Sequence, residues 1–257
     1  MIEQLKQYKI FENKEIETFK LLENQGYCNE NYLVMADGIK YIVRKLLRDD
    51  TDRGFEWKVQ QLAFEKNITA EPLIFDEVNG FMVFLFLEGE HKGMEVESLL
   101  PPKVKSHSAG GSKLSTSKND LKFLADTLQT LHSIQIDSKP ITLHIENKTN
   151  EVLKAFETIE NHPKEYVLCH NDLNPQNILF TNEVKFIDWE FASVNDRYFD
   201  LASVCIEFDL DTKDETYFLE HYFDIREEIY TEKLSGYKAI YKALCAQWFE
   251  GLETTLP

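Results

Sequence analysis

The chain has 257 residues, 43% of them apolar and 12% aromatic, enough to fill the core of one large domain or two modest ones. Its 28 Lys and Arg against 45 Asp and Glu leave a formal charge of -17, which repels phosphate backbones and anionic membrane surfaces and suits a small cation. Nucleic acid and membrane are therefore not expected partners.

The opening residues are mixed and charged, unlike a signal peptide, and no apolar run approaches the ~20 residues that span a bilayer. Cys28, Cys169, Cys205 and Cys245 form no C-x-x-C pair and no zinc pattern, so they read as buried thiols of a cytoplasmic globular protein.

After a short amphipathic opening, residues 19–22 and 31–35 read as strands about a turn at residues 25–29. The Asp37-Gly38 turn then leads into a third strand at residues 40–47. Three short strands in succession predict an antiparallel meander. A helix follows over residues 53–67, where Phe55, Val59, Leu62 and Ala63 recur at helical spacing with Asp52 as N-cap. Strands at residues 72–78 and 81–87 flank Asn79-Gly80, the strongest hairpin signal in the chain.

Residues 88–119 change character, and residues 100–118, rich in Ser, Gly, Lys and Pro, read as a flexible surface loop. Gly110-Gly111-Ser112-Lys113 lacks the Walker spacing and a preceding strand. Leu121, Leu124, Ala125, Leu128 and Leu131 mark a helix running to about His132, with Asn119 or Asp120 as cap. Residues 150–161 offer another helix, and residues 198–251 are almost wholly helical in pattern. Strands first and helices after predict an α+β protein of two lobes, residues 1–88 and 89–257.

Between the helical stretches lies VLCHNDLNPQNILFTNEVKFIDWE, residues 167–190. Val167, Leu168 and Cys169 can bury themselves and leave His170-Asn171-Asp172 on the loop that follows. Residues 177–180 and 184–187 alternate as two small strands about Thr181-Asn182, which returns Asp188 beside Asn177. A carboxylate placed for a hydroxyl, and a separate Asn/Asp pair for a metal, are the parts that phosphoryl transfer requires.

The runs HNDLNPQN at 170–177 and IDWEFAS at 187–193 resemble the choline/ethanolamine kinase branch of the aminoglycoside-phosphotransferase and protein-kinase-like superfamily. The order of lobes matches as well, so the resemblance covers nearly the whole chain outside the loop near residues 100–118. It implies a two-lobed protein kinase-like fold, with a nucleotide-binding lobe at 1–88 and a helical catalytic and substrate lobe at 89–257. It also implies an ATP- and Mg2+-dependent kinase acting on the hydroxyl of choline or ethanolamine.

In that reading Asp172 accepts the hydroxyl's hydrogen bond, aligns it on the γ-phosphate and takes its proton late. Asn177 and Asp188 hold Mg2+, a hard ion suited to oxygen ligands. His170 completes the catalytic loop, orienting it by hydrogen bonding. Asp200 resembles the family's buried aspartate that braces this loop, the plainer alternative being a helix N-cap.

The resemblance further places Gly26, Cys28 and Asn29 in a phosphate-covering loop, although an ordinary hairpin turn accounts for them equally well. It places Arg44 on the α/β-phosphates, paired with a helix carboxylate for which Glu56 is the best candidate. Adenine is expected near residues 85–88.

A quaternary ammonium cannot donate a hydrogen bond, so the acceptor must be recognised by aromatic faces and carboxylates. Tyr237, Tyr241, Leu244 and Trp248 form one helical stripe, which serves a core as readily as a cation box. By resemblance Trp248, Glu207 and Phe191 line the acceptor site with Tyr241. Two other readings stand beside this one: an aminoglycoside or other sugar phosphotransferase, and a catalytically silent kinase-like nucleotide-binding module. The oligomeric state is open at this stage.

Overall fold

The computed structural model of the chain describes residues 1–22, 29–48, 51–92, 116–224 and 227–255, with side chains as far as Gly251. The chain divides into two compact units, Met1–Glu88 and Gly89–Pro257.

The first unit holds α1 (Ile2–Leu5), β1 (Ile16–Leu21), β2 (Asn29–Ala36), β3 (Ile39–Leu46), α2 (Arg53–Glu65), β4 (Pro72–Asp76) and β5 (Phe81–Leu85). The five strands make one antiparallel sheet in the order β1-β2-β3-β5-β4. At the β2–β3 turn Asp37 and Gly38 have φ of 49° and 73°, the pair of left-handed residues that a tight two-residue hairpin demands. One face of the sheet buries Val34, Ala36, Tyr41, Val43, Ile74, Phe81 and Val83 with Leu5 and Phe11 from the opening segment. On the other face Met82, Phe84 and Ala70 pack with Trp57 of α2. As expected, α2 is capped by Asp52, whose carboxylate accepts from the backbone of Phe55 at 2.9 Å.

The second unit holds α3 (Lys118–His132), α4 (Asn150–Glu160), β6 (Tyr166–Cys169), a 3-10 turn (Pro175–Asn177), β7 (Ile178–Phe180), β8 (Val184–Phe186) and β9 (Ser193–Asp196). Helices α5 (Tyr198–Glu207), α6 (Thr212–Tyr222) and α7 (Thr231–Thr255) complete it. The cap of α3 is Ser117 rather than Asn119 or Asp120. Its hydroxyl accepts from the Asp120 backbone while the Asp120 carboxylate accepts from the backbone of Ser117. An acid at the third helical position can satisfy the N-cap only from inside the helix, so the helix begins earlier than its apolar periodicity suggests. The expected surface loop lies outside the described residues except at 116–118.

One pairing was not anticipated: β9 runs antiparallel to β6, with Cys169 opposite Ser193 and Tyr166 opposite Asp196. Beside it the expected hairpin forms, with Ile178 opposite Phe186 and Phe180 opposite Val184. Nearly every side chain of α5 is buried, as in a helix that runs through a core. Long α7 packs on α4 so closely that a Cβ on Gly236 would lie 2.8 Å from Ile159 Cγ2. Among the described residues no helix is long and apolar enough to cross a membrane.

Candidate active site

The H-x-D loop leaves the end of β6 and is held from beneath by Asp200, in the first turn of α5. One carboxylate oxygen accepts from the backbone of His170 at 2.8 Å, and the other from the backbone of Asn171 at 2.8 Å. Asp200 also receives His132 Nε2 at 3.1 Å, and His132 Nδ1 meets the Tyr222 hydroxyl at 2.6 Å. Asp200 is thus a brace for the loop and not an N-cap. His170 is fully buried, with its ring packed against both Trp189 and Phe186 and its Nε2 3.0 Å from the carbonyl of Ile187. A carbonyl only accepts, so Nε2 carries the hydrogen, and His170 ties the loop to the residue just before Asp188.

Asn171 turns the chain with a left-handed backbone at φ 65°. Its Nδ2 donates to the Phe191 carbonyl at 2.9 Å and to Ser193 Oγ at 2.7 Å, and its Oδ1 accepts from Asn195 at 2.8 Å. Strand β9 is therefore the wall that fixes this turn.

Both oxygens of Asp172 are held, Oδ1 by Asn174 Nδ2 at 3.0 Å and Oδ2 by Asn177 Nδ2 at 2.7 Å. Burial pushes the Asp172 carboxyl up to about 6; the charges of Asp188 and Glu190 add to this, and the two amide hydrogen bonds oppose it. The backbone of Ile187 donates to the Asn177 carbonyl at 2.9 Å, and this final rung of the β7–β8 hairpin sets Asp188 beside Asn177. Asn177 spends its amide nitrogen on Asp172, so the atom it can give an ion is Oδ1. That oxygen and the Asp188 carboxylate make a donor set of hard oxygens, the kind that Mg2+ takes. His132, Cys169 and Asp200 also lie within 4.8 Å of one another, all buried, but His132 and Asp200 are engaged in the brace beneath the loop and the Cys169 thiol donates to the carbonyls of Asn195 and Asp196.

Glu207 ends α5, buried to 3% exposure, and accepts from the Tyr241 hydroxyl of α7 at 2.7 Å. Burial raises its carboxyl to about 7, the charge of Asp172 adds to that, and the Tyr241 hydrogen bond opposes it. One turn further along α7, burial pushes the Cys245 thiol up to about 12, with the charges of Glu207 and Asp172 contributing. Tyr237 and Tyr241 both pack edge-on against Phe199 and are buried, so this half of the aromatic stripe belongs to the core. Trp248 is half-buried beside Phe249, and Phe191 is half-buried with its carbonyl on Asn171.

In the first unit Glu56 is gripped from two sides, by Arg44 Nη1 at 3.1 Å and by Arg53 Nη1 at 2.7 Å, with all three side chains buried. Arg53 also reaches Asn29 Oδ1 at 3.1 Å, and Arg44 reaches Asn31 Oδ1 at 3.2 Å while lying over the Phe84 ring. The expected Arg44–Glu56 pair is present. Gly26 and Cys28 lie outside the described residues.

Residues 87–242 match the family model described as Choline/ethanolamine kinase, more than half of the chain. The chain belongs to this family. Among its relatives, protein LicA of Haemophilus influenzae is 24% identical over 207 residues, which cover 77% of this chain and 60% of that protein. The matched region thus spans less than two thirds of that relative's length. The crystal structure of choline kinase LicA from Streptococcus pneumoniae superposes with a TM-score of 0.75 at 20% identity, over 100% of this chain and 92% of that one. A spectinomycin phosphotransferase in complex with ADP and spectinomycin superposes with a TM-score of 0.65 at 15% identity, over 95% of this chain and 87% of that one. The α+β kinase-like fold expected from the sequence is the fold that this choline/ethanolamine kinase family member adopts.

Within this family member, the sequence reading missed Arg53, Asn174, His132 and Cys245. Arg53 had a legible signal, an acid three residues on along one helix face. Asn174 lay inside the motif but outside its defining positions. His132 and Cys245 carried none, because each takes its meaning from an element distant in the chain.

Proposed function

We propose that the protein is an ATP-dependent kinase that transfers the γ-phosphate to the hydroxyl of choline or ethanolamine. The observation that carries this is Asp172, a half-buried carboxylate with both oxygens fixed by amides and its proton affinity raised toward neutrality. A base of that kind is mostly ionised at pH 7 yet takes a proton more readily than an ordinary aspartate. Asp172 accepts the hydrogen bond of the acceptor hydroxyl; as that oxygen bonds to the γ-phosphorus and ADP departs, the hydroxyl proton passes to Asp172. Asn177 and Asp188 would hold Mg2+, which supplies charge neutralisation on the phosphates. Asp200 and His170 act on this chemistry by holding the loop.

In the unit Met1–Glu88, Arg44 is the group for phosphate oxygens, and Glu56 fixes its guanidinium. Glu207 and Tyr241 favour an acceptor with one cationic centre over a polycationic sugar, because a single enclosed carboxylate matches a single charge. Trp248 and Phe191 are proposed as the aromatic faces around that charge. The enzyme works in the cytoplasm, where ATP is available.

Purified protein offered choline, ethanolamine and kanamycin with ATP and Mg2+ should form ADP with one or both amino alcohols. Turnover with kanamycin alone overturns the acceptor, and nucleotide-induced thermal stabilisation without transfer to any acceptor overturns catalysis. Asp172→Asn should lower kcat on the order of 10²–10⁴-fold while nucleotide still raises the melting temperature. Unimpaired turnover in that variant would exclude Asp172 as the base.

A further inference from the structure

We propose that the acceptor's ammonium group replaces a proton on Glu207, which is a neutral acid before the acceptor binds and an anion once the cation sits beside it. The inference rests on the functional reading just given and concerns how that site is charged.

Glu207 is almost completely enclosed, and among the described residues its hydrogen-bond donor is the neutral hydroxyl of Tyr241. The titratable groups that act on it are Tyr241 and Cys245 from α7 and Asp172 from the H-x-D loop, and none of these is a cation. The nearby lysines of α7 are occupied or turned outward. Lys233 is buried against Glu165 and Asp196, Lys238 pairs with Glu215, and Lys242 is exposed. A carboxylate taken out of water, near the charge of Asp172 and without a counter-charge among the described residues, holds its proton. The raised affinity of Glu207 for a proton agrees with that placement.

An entering ammonium reverses the balance by supplying the missing positive charge. A quaternary nitrogen cannot donate a hydrogen bond, so its charge alone must favour the anion. The exchange balances: the neutral acid and the free cation become a carboxylate–ammonium pair and one proton released to solvent. Acceptor affinity therefore weakens as pH falls below the value at which free Glu207 titrates, by about tenfold per pH unit, and levels off above it.

The test is calorimetric titration of choline into the full chain, with Mg2+ and a non-hydrolysable ATP analogue already bound so that the catalytic loop has settled its own protons. Repeating the titration in buffers of different ionisation enthalpy counts the protons released. Close to one proton per choline is expected at pH 6 and close to none at pH 9. Glu207→Gln, checked for folding by its melting curve, should bind choline more weakly, release no proton and lose the pH slope of choline affinity. Binding at pH 6 without proton release, or equal release from the Gln variant, overturns the inference and leaves the kinase reading standing. If neither choline nor ethanolamine binds or drives turnover, the kinase reading falls and takes the inference with it. Should Glu207→Gln fail to fold, the proton count of Asp172→Asn decides the matter: release on choline binding at pH 6 is expected to persist there, and its loss overturns the inference.

Discussion

Asn171 shows how one residue can carry both a turn and a network. Its φ of 65° is a conformation that most side chains resist, and its amide fills that position with three hydrogen bonds to Phe191, Ser193 and Asn195. Two substitutions separate the contributions. Asn171→Gly keeps the backbone and loses the bonds, at about 1–3 kcal/mol, whereas Asn171→Ala loses the bonds and adds roughly 1–2 kcal/mol of backbone strain. Urea unfolding should rank wild type above Gly and Gly above Ala; an Ala variant as stable as the Gly variant would show that φ is not a constraint. The roles expected of Asp172, Asn177 and Asp188 came from spacing and from the family resemblance of the two motifs. What holds them did not: Asn174 and the rings around His170 are ordinary residues until the chain folds over them.

The elements that were legible are those whose signals are local. The β2–β3 hairpin, α2 with its Asp52 cap and the β7–β8 hairpin each depend on residues within a few positions of one another. Strand β9 escaped notice because SVND is short and mostly polar, and its strand character comes from pairing with β6 some 26 residues away. Helices α4 and α7 meet through Gly236, which the sequence presents only as a weak spot in a helix. Replacing it with Ala sets two effects in opposition. Helix propensity improves by about 1 kcal/mol, but the new Cβ would lie 2.8 Å from Ile159 Cγ2 and 3.2 Å from the Ala155 carbonyl oxygen, an overpacking of about 1–3 kcal/mol. The backbone carbonyl cannot swing aside as a side chain can, so Gly236→Ala should melt at a lower temperature than wild type. A higher melting temperature would mean that α7 can move off α4 freely.

Across the whole molecule, the protein's enclosed acids set stability against function. Glu207 titrates near 7 in the folded chain against an ordinary value of 4.5. The folded state therefore binds more protons than the unfolded one between those values, and the contribution of this group to stability falls as pH rises through that window. Above it the full penalty of a buried anion is present. Glu207→Gln keeps an oxygen for the Tyr241 hydroxyl and removes the charge, so it should be more stable than wild type at pH 8, by about 1–3 kcal/mol, and nearly equal at pH 4. Melting curves at the two pH values check this, and a Gln variant less stable at pH 8 would mean that Glu207 is already paired with a cation.

The sequence by itself determined the class of fold and marked the residues of the proposed reaction, because H-x-D-x-x-x-x-N with its following acid, and strands preceding helices, are short-range patterns that survive without coordinates. Only the tertiary structure decided that Asp200 reaches under the loop to two backbone amides, that His132 and Tyr222 stand behind it, and that Glu207 meets Tyr241 with Asp172 close by. Burial, and the presence or absence of a neighbouring charge, are properties of space rather than of spacing, and they decide which of many acids in a chain of net charge -17 holds a proton and which gives it up.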